Sequence, residues 1–125
     1  MKTLSRSLFL AVLFCGFLAT LQAQTATVIP DTEAAQHVGH QATVEGTVVK
    51  VFRSKNGNTF LNFGAAYPNQ TFTGWIPKGS PVAAQTSLFA LEGKRVRITG
   101  TIPRYKGKPE IRIASKEQIV ENQQN

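Results

Sequence analysis

The chain has 125 residues, enough for one domain, and its 14 lysines and arginines against 7 aspartates and glutamates give a formal net charge of +7. Its single cysteine, Cys15, lies in an apolar run near the start. A chain processed beyond that run therefore holds no disulfide, cysteine-bound metal or thiol nucleophile. The basic excess suits a polyanion such as nucleic acid, an acidic glycan or an anionic lipid surface, or else serves solubility alone.

Lys2 and Arg6 form a short positive region ahead of the apolar run Leu8–Leu18, and Leu21-Gln22-Ala23 ends in a small residue suited to signal peptidase. Residues 1–23 are expected to be a signal peptide cleaved after Ala23, giving a secreted or periplasmic protein. The apolar run is well short of the about 20 residues needed to cross a bilayer, so no stable membrane span is expected after cleavage. Cleavage removes Lys2 and Arg6 and leaves a basic excess.

Residues 24–40 are expected to be a spacer with a short helix. Asp31 after Pro30 suits an N-cap, Glu33 falls in the first turn, and Gly39 suits a stop, so Thr32–Val38 is expected to be one or two helical turns. From Gln41 the pattern becomes alternating. Thr43–Phe52 forms a long β-branched first strand whose apolar parity slips between Val48 and Val49, just after Gly46; such a slip predicts a bulge. Asn56-Gly57 predicts a tight hairpin in which both residues take positive φ. The second strand is Thr59–Gly64 and the third Thr71–Ile76. Phe60 and Asn62 are opposite in parity to Leu61 and Phe63, as Thr73 and Trp75 are to Phe72 and Ile76.

After Pro77–Pro81 a loose helical stripe runs to Leu91, with Gly93 past its end. The fourth strand is Lys94–Ile102 and the fifth Glu110–Ala114, separated by a basic turn over residues 103–109. Ser115 suits the cap of a last turn over Lys116–Gln118, and residues 121–125 are expected to fray.

Three strands, a short helix and two more strands, with a long bulged first strand, make the plan of an all-β, five-stranded OB-fold Greek-key barrel over residues 41–120. The segments V-E-G-T-V-V-K-V, S-K-N-G-N-T-F-L-N-F-G, Y-P-N-Q-T-F-T-G-W-I and L-E-G-K-R-V-R-I-T-G-T-I with Y-K-G-K-P-E-I-R-I carry a family resemblance. The last pair resembles the ending of the tRNA-anticodon/helicase type of nucleic-acid-binding OB domain. Residues 34–119 as a whole resemble small exported bacterial OB-fold proteins. The resemblance implies three ligand-facing groups. Arg53, Lys55 and Asn56 come from the first hairpin loop. Phe60, Asn62, Thr73 and Trp75 come from the second and third strands, with Tyr67 at their edge. Arg104, Tyr105, Lys106 and Lys108 come from the last loop. Cations that follow phosphates and flat side chains that stack bases are what single-strand binding needs.

The same residues have plainer readings. Phe60 and Trp75 could be covered by a helix or the N-terminal segment. Tyr105 could pack its own loop, and Arg95, Arg97 and Arg112 could be ordinary solvated strand positions. His37 and His40 straddle Gly39, a poor spacing for a shared metal, and no metal or other cofactor is expected. A nuclease on such a barrel would need clustered carboxylates, and Glu45 with Glu110 is the one pair on strands to check. The expectation is a non-enzymatic, monomeric binding protein for single-stranded nucleic acid or another polyanion, with a protein or glycan of the cell envelope as the alternative partner.

Overall fold

In the computed structural model the described residues are Gly16, 27–103 and 107–122. The signal-peptide expectation for residues 1–23 falls outside them apart from Gly16, as do Arg104, Tyr105, Lys106 and residues 123–125. Among the described residues no helix is long and apolar enough to cross a membrane.

The described residues form seven strands: β1 (Val28–Pro30), β2 (Gln41–Arg53), β3 (Thr59–Phe63), β4 (Phe72–Ile76), β5 (Arg95–Thr101), β6 (Glu110–Arg112) and β7 (Ile119–Glu121). The order across the sheet is β6-β4-β3-β2-β5-β7, with β1 added parallel to β2. The five long-range strands expected from the sequence are β2 to β6. The three-residue strands β1 and β7 were not expected, because their pairing is set by distant partners rather than by a local pattern.

The parity slip in β2 has the expected consequence. Residues Gln41–Thr47 pair antiparallel with β5, and Val48–Arg53 pair antiparallel with β3. The register shifts between Val48 and Lys50, leaving Val49 as the extra residue of a bulge. One strand thereby bends from one ladder into the next while keeping Val44, Val48 and Val51 in the core. Leu61, Phe63, Phe72, Val96, Ile98 and Ile111 meet them there, and Phe63 and Phe72 pack edge to face with ring centroids 5.2 Å apart.

The first hairpin differs from the expected turn. Gly57 donates to the Ser54 carbonyl (2.9 Å) and Ser54 to the Asn58 carbonyl (2.8 Å). Gly57 has φ of +87°, whereas no non-glycine residue among those described has positive φ. Asn56 therefore keeps a negative φ, and in this loop Gly57 alone takes the positive-φ position. Asp31 also departs from expectation: no side chain caps the 3-10 segment Asp31–His37, and the Asp31 carboxylate accepts a hydrogen bond from Thr71 Oγ1 ahead of β4. Where a helix was expected over Pro81–Leu91, a turn at residues 81–84 leads into the 3-10 segment Thr86–Leu91.

No ladder joins β5 to β6 among the described residues, so the sheet does not close into the expected five-stranded barrel through its backbone. Those two strands nonetheless lie close. A Cβ on Gly100 of β5 would stand 2.5 Å from Ile111 Cγ2 of β6, so any other residue there would have to displace the Ile111 side chain. Gln118 ties this seam. Its amide nitrogen donates to the Thr99 carbonyl on β5 (3.0 Å) and to the Arg112 carbonyl on β6 (2.9 Å). Its oxygen accepts from the amides of Ala114 (2.7 Å) and Ser115 (3.1 Å). A single side chain spends its hydrogen-bonding capacity on four backbone groups.

Candidate functional site

Register across β2, β3, β4 and β6 builds the site. Lys50 pairs with Asn62, Asn62 with Thr73, and Thr73 with Glu110. Two residues along each strand, Phe52 pairs with Phe60, Phe60 with Trp75, and Trp75 with Arg112. Side chains alternate between faces, so these two rows share the outward face. The row between them, Val51, Leu61, Gly74 and Ile111, points into the core.

The polar row and the aromatic row flank a groove of about 470 Å³, within the size range of small-molecule sites. Phe52 and Phe60 stack along one side, with centroids 6.5 Å apart and planes inclined by 26°. Tyr67 stands at the rim with 78% of its surface exposed. Trp75 continues the aromatic row beyond the groove, and the Arg112 guanidinium lies 5.8 Å from its ring centroid, an arrangement that orients the ring and keeps a cation beside it.

The floor is polar and largely buried. Thr73 donates its hydroxyl to Asn62 Oδ1 (3.2 Å), and both residues are buried. Gln70 is 8% exposed, and its Oε1 has no hydrogen-bond partner among the described residues. The Gln70 carbonyl is anchored by Lys108 Nζ at 2.9 Å. Glu110 lies at one end of the floor, where burial pushes its carboxyl above the usual carboxylate range. Lys50, also lining the groove, pairs with Glu92 at 3.5 Å. The Val51 amide donates to Glu92 (2.9 Å), and this bond and then Lys50 hold the Glu92 carboxyl low.

Four residues named from sequence, Phe60, Asn62, Tyr67 and Thr73, line this one groove. Trp75 shares its face, and Lys108 reaches its edge through Gln70. Lys55 and Asn56 are exposed at the hairpin tip and do not line the groove. Arg53 is placed elsewhere: Nε donates to Thr59 Oγ1 (3.2 Å), Nη2 donates to the Ala83 carbonyl (3.0 Å), and the guanidinium lies 5.2 Å from the Phe89 ring centroid. Arg104, Tyr105 and Lys106 lie outside the described residues. Sequence reasoning missed Lys50, Phe52, Gln70 and Glu110 as groove residues. Lys50 and Phe52 could have been found by carrying the alternation past the bulge. Gln70 and Glu110 come from segments whose placement depends on the ladders.

Glu45, the other carboxylate singled out for a possible pair, faces a different set of groups. It binds Arg95 Nη2 at 2.8 Å and Arg97 Nε at 2.5 Å, and these two arginines hold its carboxyl below the usual range. Among the described residues no group of three or more His, Cys, Asp or Glu side chains is placed to hold a metal ion.

No family model matches the chain, and no curated protein does. Solved structures do. An aspartyl-tRNA synthetase assignment from Leishmania major Friedlin aligns with TM-score 0.49 and 11% identity over 82% of this chain, which spans 22% of the synthetase. An OBody bound to hen egg-white lysozyme aligns with TM-score 0.52 and 16% identity over 80% of this chain and 96% of its own. At that identity the likeness to the OBody is one of fold.

Proposed function

We propose that this chain is an exported, non-enzymatic OB-type module that holds single-stranded nucleic acid on the outward face of β2, β3, β4 and β6. The observation that carries the reading is the pair of cross-strand rows: Phe52, Phe60 and Trp75 form a line of flat side chains beside Lys50, Asn62 and Thr73. Bases stack on such a line with little regard to sequence, and cations near it follow the phosphates. Arg112, Lys50 and Lys55 are the cations for that role, and Lys108 fixes the loop that carries Gln70. The strand order supports an OB-type barrel whose last closure is made by Gln118 instead of a ladder.

Fluorescence anisotropy with labelled single-stranded oligonucleotides tests this. The expected result is micromolar binding that weakens as salt rises, because neutralised phosphates release counterions. Absence of salt-sensitive binding at high micromolar protein overturns it.

A second reading, as an envelope module for a protein, glycan or other polyanion, draws on one observation: the OBody of similar fold was solved bound to a protein. Exposed Phe52 and Tyr67 would serve such a contact equally well. Specific capture on glycan arrays or from envelope extract, without oligonucleotide binding, favours it.

A further inference from the structure

We infer that the pocket where the β2–β3 hairpin meets the turn after β4 is a second binding site, one that takes a phosphate monoester. It lies apart from the aromatic groove and goes beyond the nucleic-acid reading, which stands or falls separately.

The pocket has a volume of about 480 Å³ and is lined by Arg53, Gly57, Lys78, Gly79, Ser80 and apolar residues of segment 81–84. Arg53 follows Phe52 on β2, so its side chain leaves the opposite face of the strand from the groove. Three contacts fix its guanidinium. Nε donates to Thr59 Oγ1 (3.2 Å), Nη2 donates to the Ala83 carbonyl (3.0 Å), and the half-exposed Phe89 ring lies 5.2 Å away. Those two bonds leave the far end of the fork, on Nη1 and Nη2, without an acceptor among the described residues.

Lys78 is held at the same pocket. Its amide donates to Asn58 Oδ1 (2.9 Å), and its stem lies against the hairpin, where a Cβ on Gly57 would stand 3.3 Å from Lys78 Cγ and Cδ. Neither Arg53 nor Lys78 forms an ion pair among the described residues. No acidic and no aromatic side chain lines the pocket among them either. The groove, by contrast, carries Glu110 and two phenylalanines.

Two cations without a counter-charge favour an anion, and the absence of a flat wall leaves a base nothing to stack on. A guanidinium already immobilised loses little further freedom on binding. Its open end matches two oxygens of a phosphate. A monoester carries a charge of about −1.5 to −2 at neutral pH, close to that of the two cations, whereas a diester carries about −1.

The test follows NMR shifts of the protein as ribose 5-phosphate or dimethyl phosphate is added. Ribose 5-phosphate should shift the Gly57 and Gly79 amides and the Arg53 Nε–H with a Kd of about 1 mM or below. Dimethyl phosphate should bind about fivefold or more weakly. Lys78→Ala should weaken the monoester about threefold or more, and so should Arg53→Lys, which keeps the charge and loses the fork. Lys78 is exposed, so its removal spares the fold and decides alone should Arg53→Lys not fold. No shift at about 10 mM, shifts centred on the groove, an equal response to the diester, or unchanged affinity in either folded variant overturns the site. None of these bears on oligonucleotide binding by the groove. An oligonucleotide with and without a 5′-phosphate separates two sources of monoester. A gain in affinity that Lys78→Ala abolishes supports the end of a strand; ribose 5-phosphate binding without that gain supports a small phosphorylated molecule.

Discussion

Two outward surfaces of the same sheet treat their polar groups in opposite ways. On the β2–β5 ladder Glu45 is clamped between Arg95 and Arg97, and the hydroxyls of Thr43 and Thr99 bond to each other at 2.8 Å. On the β2–β3–β4–β6 surface Gln70 Oε1 has no partner among the described residues, burial raises the Glu110 carboxyl above its usual range, and Phe52 is 53% exposed. The first surface has closed its own account; the second leaves groups for something else to satisfy. Formal charge does not distinguish them, since Arg95 and Arg97 count toward the net +7 while facing a carboxylate of their own. What marks a candidate site is unmet bonding capacity beside exposed aromatic area, rather than the density of cations.

The largest expected effect comes from cutting the join between the two surfaces. Gln118→Leu removes four hydrogen bonds to backbone, two of which link β5 and β6, and should lower stability by about 2–4 kcal/mol in urea denaturation. A loss below about 0.5 kcal/mol would mean that packing alone holds the seam. Next comes the open surface. Trp75→Ala should weaken oligonucleotide binding about tenfold. Phe89→Ala, which removes the ring beneath Arg53, should leave it within about twofold. Equal losses would erase the distinction between the surfaces.

Glu45→Gln tests the satisfied surface. Its carboxyl is held low in the folded state, so the stability it contributes is present above the ordinary carboxylate pKa and is lost as pH falls through the lowered value. The variant should be about 1 kcal/mol less stable at pH 7, and the difference should vanish in acid. It should also bind oligonucleotide more tightly at low salt, because Arg95 and Arg97 are released. The smallest effect is expected at Glu110. Burial raises its pKa, so its charge is unfavourable to folding at neutral pH, and that disadvantage disappears as pH falls below the ordinary carboxylate range. Glu110→Gln should stabilise by about a few tenths of a kcal/mol at pH 7 and by nothing in acid, measured by paired thermal melts.

Much of this was legible in the sequence where the cause is local. The slip between Val48 and Val49 announced the bulge because alternation has a period of two and one extra residue breaks it. Parity likewise separated Phe60 and Trp75 from Leu61 and Phe72. The turn was half right: Asn56-Gly57 marked the hairpin, while loop length decided that glycine alone takes positive φ. What escaped depends on partners far along the chain. Nothing near Asp31 shows that Thr71 will claim its carboxylate, and nothing near Gln70 shows that a groove will form beside it. Arg53 looked like a loop cation, but the Ala83 carbonyl that fixes it lies thirty residues on. Gln118 looked like one polar residue among several in a final turn.

The position of Gln118 in the chain has a consequence for truncation. A chain cut before residue 118 keeps every residue of β1 to β6 and loses both β7 and the side chain that ties β5 to β6.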